Sequence, residues 1–491
     1  MTDETAFLPA TQLLALYRAK KLSPVEVLGA TLGRLEAYEG ALNAFVLYDP
    51  AAAVAAARAS EARWQRGAPQ GLLDGVPVAV KDTVLTKGWP RLVGSRTIDP
   101  NQAWNEDSPV TEKLRAEGAV LFGKTTTPEF GWKPLTDSPL SGVTRNPWDI
   151  ERTPGGSSGG SAAAVLAGIC PLAVGTDAGG SIRIPAAFCG IFGLKPTFGR
   201  VAVYPPSAFG DVAHVGPMAR TVEDAALMLD AIKGPDSRDW HSLPDDGIAA
   251  YRERVQEGSL RGKRVALSVT LGLAEPDPAV RAAVERAADV FRSLGAEVEP
   301  ADPFPEPPRG IFEPLAGAAF WALLRGMPPQ AQAVMDPGLV ALCRSGEAVT
   351  QEEYVDAIAR RAALGQTLRR FFDCWDLLLA PTMPITAAYA EPRADGRPNP
   401  ANFPDWMPYT PPFNLTKNPA ASIPCGFVDG LPVGLQVVGP LYGDLAVLQA
   451  CRAYQQAGGP LWPNAALDAC LAKIAAPGDA AVAAKKWTRA H

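Results

Sequence analysis

Residues 153–196 read TPGGSSGGSAAAVLAGICPLAVGTDAGGSIRIPAAFCGIFGLKP, and this stretch concentrates small residues where a fold must bring backbone close to something. Its first glycine-serine turn, Gly155–Gly160, leads into the Ala-rich run SAAAVLAG, which has high helix propensity. The second, Gly179-Gly180-Ser181, follows the apolar, strand-like run PLAVGT. Glycines there permit positive φ and let backbone N–H groups converge on one ligand atom. Taken singly, such a turn is ordinarily a tight bend with a serine cap. Two of them, together with a lysine at the end of an apolar strand, point to a site.

That lysine closes LDGVPVAVKDTV, residues 73–84. Lys81 is open to two readings: a snorkelling cation paired with Asp82, or a desolvated amine lowered toward neutrality. Gly118 to Thr125, GAVLFGKT, satisfies the phosphate-loop pattern GxxxxGK[ST], but its centre AVLF must be a buried strand and Gly118 ends the helix SPVTEKLRAE. Nucleotide binding is therefore rejected. GxSxG occurs twice, centred on Ser157 and on Ser158, yet the polar, proline-broken SGVTRNPWDIERTP precedes it where a nucleophile elbow needs a strand. Of the three histidines, His214, His241 and His491, none is flanked as a catalytic base or metal ligand would be. Whatever activates a serine here is not a histidine, and neither metal nor cofactor is expected.

The resemblance is carried by GGSSGGSAAAV, GTDAGGSIR and PAAFCGIFGLKPT at their mutual spacing, with flanking agreements from LDGVPVAVKD to GLPVGLQVVG. On these motifs the chain resembles the amidase signature family, which includes fatty acid amide hydrolase and the A subunit of the tRNA-dependent amidotransferase. The resemblance implies Ser181 as nucleophile, Ser157 as a bridging serine in a cis peptide, and Lys81 as base. It selects the desolvated-amine reading of Lys81. It further implies an oxyanion hole from the N–H groups of Ala178, Gly179, Gly180 and Ser181. Ser158, Asp177 and Arg183 are expected to hold the turns by hydrogen bonds. The implied reaction is hydrolysis of a small carboxamide, anilide or carbamate; the alternative is a glutamine-hydrolysing component of an amidotransferase.

Composition bounds the rest. The net charge of −6, with 20% charged residues, argues against a nucleic-acid partner, and no window reaches the length of a membrane span. No signal peptide is legible at the N-terminus, so a cytoplasmic enzyme is expected. Seven scattered cysteines, an odd number, read as reduced residues. A homodimer is compatible with the sequence but not indicated by it. Strands interleaved with helices predict an α/β fold: one mixed, mostly parallel sheet covered by helices on both faces. Residues 1–491 are expected to form one domain, with helices over 1–70 as a covering layer, a core over about 71–200, and a pocket loop over about 388–413. In that loop Trp406, Tyr409 and Phe413 are candidate substrate contacts; Phe130, Phe312 and Trp321 are candidates for the facing walls.

Overall fold

The computed structural model describes residues 3–305, 307–308, 310–392, 407–458 and 464–475. Trp406 and most of the expected pocket loop, residues 393–406, lie outside the described residues.

Eleven strands form one sheet. In chain order they are β1 (Phe45–Tyr48), β2 (Pro77–Lys81), β3 (Val120–Thr125), β4 (Leu172–Asp177), β5 (Phe192–Lys195), β6 (His214–Ala219), β7 (Arg264–Leu267), β8 (Glu297–Pro300), β9 (Leu377–Pro381), β10 (Ala420–Val428) and β11 (Leu431–Val438). Across the sheet they run β1-β3-β2-β4-β6-β5-β10-β11-β9-β7-β8. Parallel pairing occupies two blocks, β3-β2-β4 and β9-β7-β8. The strands between those blocks, and β1 at the edge, pair antiparallel. The expected mixed α/β sheet is thus present.

Period-two alternation explains why both faces must be covered. On β2, Val78 and Val80 enter one apolar cluster while Ala79 enters another; on β4, Leu172 and Val174 oppose Ala173 in the same way. The second cluster includes Leu28, Leu35 and Leu42 of the helix Pro24–Leu42. That helix starts where its sequence says it should: Ser23 accepts from the Glu26 amide, the Glu26 carboxylate accepts from the Ser23 amide, and proline holds the first helical position. Ala-rich Gly159–Leu166 is buried along its whole length, a placement its small side chains permit. No described helix is long and apolar enough to cross a membrane.

The parallel block sets the site. Lys81 pairs in register with Thr125, and Val80 with Val174, so the carboxyl ends of β2, β3 and β4 come out together. Lys81, Lys124 and Asp177 lie at that one edge. The first glycine-serine turn enters its helix beside this edge and the second leaves β4 directly.

Candidate active site

Lys81 is fully buried at the end of β2. Its Nζ lies 2.7 Å from Ser157 Oγ and 2.8 Å from Thr176 Oγ1, and no carboxylate among the described residues is paired with it. Burial drives the amine well below the ordinary lysine value, against the weaker opposing pull of the Asp177 charge. Of the two readings of Lys81, the one with Asp82 as partner is not what the structure holds. Asp82 sits with Lys124 instead, at 3.7 Å.

The Gly156–Ser157 peptide is cis. Gly131 leaves room for Ser157: a Cβ there would stand 3.2 Å from Ser157 Oγ, at a φ of +71°. Ser158 joins the two turns, because its amide donates to the Ser181 carbonyl (3.1 Å) and its Oγ both donates to Thr176 O (3.1 Å) and accepts from Thr176 N (3.2 Å). Ser157 and Ser181 line one small cavity of about 90 Å³.

The turn after β4 is held from behind. Asp177 accepts from Arg183 Nε (3.0 Å) and Nη2 (2.9 Å), from the Gly180 amide (2.8 Å), and from Asn414 Nδ2 (2.8 Å). Burial pushes this carboxyl up, but Arg183 and the other donors outweigh it and hold Asp177 ionised. Arg183 reaches on to Thr410 O, Gln436 Oε1 and Asn414 Oδ1, tying the turn to β11 and to residues 410–414. Gly180 is required where it stands, since its φ is +129° and a Cβ would meet Thr410 Oγ1 at 2.2 Å.

Of the four amides expected to converge on an oxyanion, that of Gly180 therefore donates to Asp177. Those of Ala178, Gly179 and Ser181 donate to no described group.

Two expected pocket contacts are core residues. Tyr409 and Phe413 are wholly buried; Tyr409 donates its hydroxyl to Ala274 O (2.6 Å), and Phe413 packs 6.2 Å from the Phe304 ring. Their segment turns inward through the short helix Pro412–Leu415, which brings Asn414 to Asp177. Trp321 also lies away from the site, packed among Phe320, Leu324 and Leu339. Phe130 does line the small cavity. Phe312 stands over the nucleophile turn, 3.3 Å from where a Gly179 Cβ would be, and lines a larger cavity of about 850 Å³. Phe209 walls both cavities.

Residues to which the sequence assigned no role also meet here. Thr176, Asn414 and Gln436 hold the machinery, and Arg91 and His214 line the small cavity. His214 Nδ1 faces two carbonyl oxygens, Val212 (2.7 Å) and Asp177 (3.1 Å), so it carries the proton, while Nε2 faces Lys195 Nζ at 3.3 Å. Burial and the Lys195 charge keep its conjugate acid suppressed.

The Amidase family model matches residues 26–448. The A subunit of glutamyl-tRNA(Gln) amidotransferase from Chloroflexus aurantiacus is 38% identical over 478 residues, covering 92% of this chain and 97% of that protein. A bacterial aryl acylamidase of the amidase signature enzymes superposes with a TM-score of 0.85 at 31% identity, covering 95% of this chain and 98% of its own. A 6-aminohexanoate cyclic dimer hydrolase reaches a TM-score of 0.81 at 28% identity, with 93% and 98% covered.

Proposed function

Because the chain belongs to the amidase signature family, we propose that it hydrolyses a carboxamide, anilide or carbamate through an acyl-enzyme on Ser181. The observation that carries this reading is the 2.7 Å contact between Ser157 Oγ and a buried lysine amine with no paired carboxylate among the described residues. An amide is a poor electrophile with a poor leaving group, so its hydrolysis needs a deprotonated nucleophile, a stabilised oxyanion and a proton for the departing nitrogen. Neutral Lys81 takes a proton from Ser157, Ser157 takes one from Ser181, and Ser181 Oγ attacks the carbonyl carbon. The free amides of Ala178, Gly179 and Ser181 receive the negative oxygen. The relay then returns the proton to the leaving nitrogen, and water cleaves the ester through the same residues.

The larger cavity favours an apolar group on one side of the scissile bond. Its walls include Trp132, Phe209, Leu273, Phe312, Phe320 and Met407, with Glu313 and Glu353 as its charged members among the described residues. A second reading, a glutamine-hydrolysing component of an amidotransferase, is favoured by the 38% identity to the Chloroflexus aurantiacus protein. The two separate in one assay: the isolated chain turning over anilides supports the first, and a strong preference for glutamine supports the second. Labelling with a fluorophosphonate should modify Ser181, and Ser181→Ala should abolish turnover with the fold intact. A label mapped by mass spectrometry to another serine would remove the proposed nucleophile.

A further inference from the structure

The small cavity that holds Ser157 and Ser181 contains a cation that the hydrolytic relay does not use. Arg91 lines it, and its Nε donates to Thr83 O at 2.7 Å. Its two terminal nitrogens have neither a hydrogen bond nor an ion pair to any described residue. Five N–H donors on one planar group are ordinarily matched when the group leaves water, and a guanidinium with an unmatched fork is a site for a carboxylate.

The charges around it leave that fork open. Asp82 is the carboxylate whose field reaches Arg91, but its oxygens already accept from the Leu92 and Gly94 amides, at 3.3 and 3.2 Å, and face Lys124 Nζ. Two cations thus share one buried carboxylate. Across the cavity, Asp177 is taken by Arg183, Asn414 and the Gly180 amide, and His214 is neutral. Arg91 is half-buried, its fork open to the cavity, and an anion from the substrate would complete the balance.

Resting on the amidase reading above, we propose that Arg91 binds a carboxylate of the substrate, so that the preferred substrate is an amide carrying a carboxylate on one side of the scissile bond and an apolar group on the other. The two cavities match those two halves. The one that Arg91 lines, about 90 Å³, admits only a small group, whereas the larger, about 850 Å³, lies under Phe312 and Phe320, and Phe209 stands between them.

Four amides test this. Succinanilate places its carboxylate on the acyl side and is compared with pentananilide; hippurate places it on the amine side and is compared with N-propylbenzamide. One of the two anionic substrates should exceed its neutral partner in kcat/KM by about tenfold or more, the value of a charge-assisted hydrogen bond. That ratio should fall to about one in Arg91→Met and be partly kept in Arg91→Lys. A second measurement needs no variant: succinate should compete with pentananilide more strongly than 1,4-butanediol does. Hydrolysis of the neutral amides with no preference for either anion, or an unchanged ratio in Arg91→Met, overturns the Arg91 assignment and leaves the amidase reading standing. Failure to cleave any of the four, with Ser181 unlabelled by fluorophosphonate, overturns the amidase reading itself.

Discussion

Lys81 and Lys124 end neighbouring parallel strands, and both are fully buried. They differ in what faces the amine. Lys124 Nζ donates to the Val84 carbonyl at 2.5 Å and lies 3.7 Å from the Asp82 carboxylate. Burial lowers it to about 8, with Asp82 opposing the shift, so it stays protonated at neutral pH. Among the described residues Lys81 meets only hydroxyls, those of Ser157 and Thr176. The nearby carboxylate, Asp177, has its charge matched by Arg183. Equal burial therefore leaves a paired cation in one strand and, in the next, an amine without a counter-charge, which is the state the proposed base requires.

The largest effect that could break this contrast is in the two Lys→Arg exchanges. Arginine keeps charge and reach but does not deprotonate in proteins. Lys81→Arg should lower kcat/KM by about a thousandfold, within what a positioned general base supplies. Lys124→Arg, whose partner is a carboxylate, should keep the pH profile of the wild type in whatever fraction folds. Substantial activity in Lys81→Arg with an unchanged pH limb would mean that basicity is not what the site requires.

A stability measurement sharpens the same contrast from the other side. Lys124→Met removes one member of a buried pair and leaves Asp82 with two amides and a distant Arg91, so denaturant unfolding should show a loss of about 3 kcal/mol. Lys81→Met removes an amine that burial already disfavours in its charged form, and should cost less or be stabilising. If Lys81→Met proves the more destabilising of the two, Lys81 carries a structural charge after all.

These lysines also mark how far the sequence can be read. Lys81, Ser157 and Ser181 stand out because each sits in a short motif whose glycines and apolar run are contiguous with it. Lys124 separates from a phosphate loop because AVLF can only be strand, and Val120–Thr125, Lys124 included, is β3. The helix start at Ser23-Pro24-Val25-Glu26 is legible for the same reason, since a capping box is local in sequence. Arg91 and Asn414 reach the site from separate segments, and nothing in their own neighbourhoods announces it; Thr176 and Gln436 lie within GTDAGGSIR and GLPVGLQVVG, but only the contacts show what their side chains hold. Tyr409 and Phe413 elude a sequence reading because composition shows an aromatic-rich segment without showing which way it folds. The segment turns inward to bring Asn414 to Asp177. The strand order, with an antiparallel run between two parallel blocks, is likewise a property of contacts and not of any one stretch.

The smallest effect is the most specific one, and it concerns Thr176. Its Oγ1 accepts from Lys81 Nζ at 2.8 Å, on the side away from Ser157's role in the relay. An ammonium has three N–H groups to satisfy and a neutral amine has two with one lone pair, so losing an acceptor harms the charged form more. Thr176→Val should therefore lower the Lys81 pKa further, and the ascending limb of kcat/KM, on which activity rises as the amine loses its proton, should move to lower pH. A hydrogen bond to a charged group contributes about 1.5 kcal/mol at its weaker end, which is about one pH unit. The plateau should also fall, by about tenfold or less, because the amine loses part of what orients it toward Ser157. The sign is what distinguishes the explanations. If Lys81 worked as a cation, the same substitution would weaken its charged form and depress activity on the alkaline side instead. A limb that moves to higher pH, or does not move while the plateau drops, would place the titration elsewhere than on Lys81.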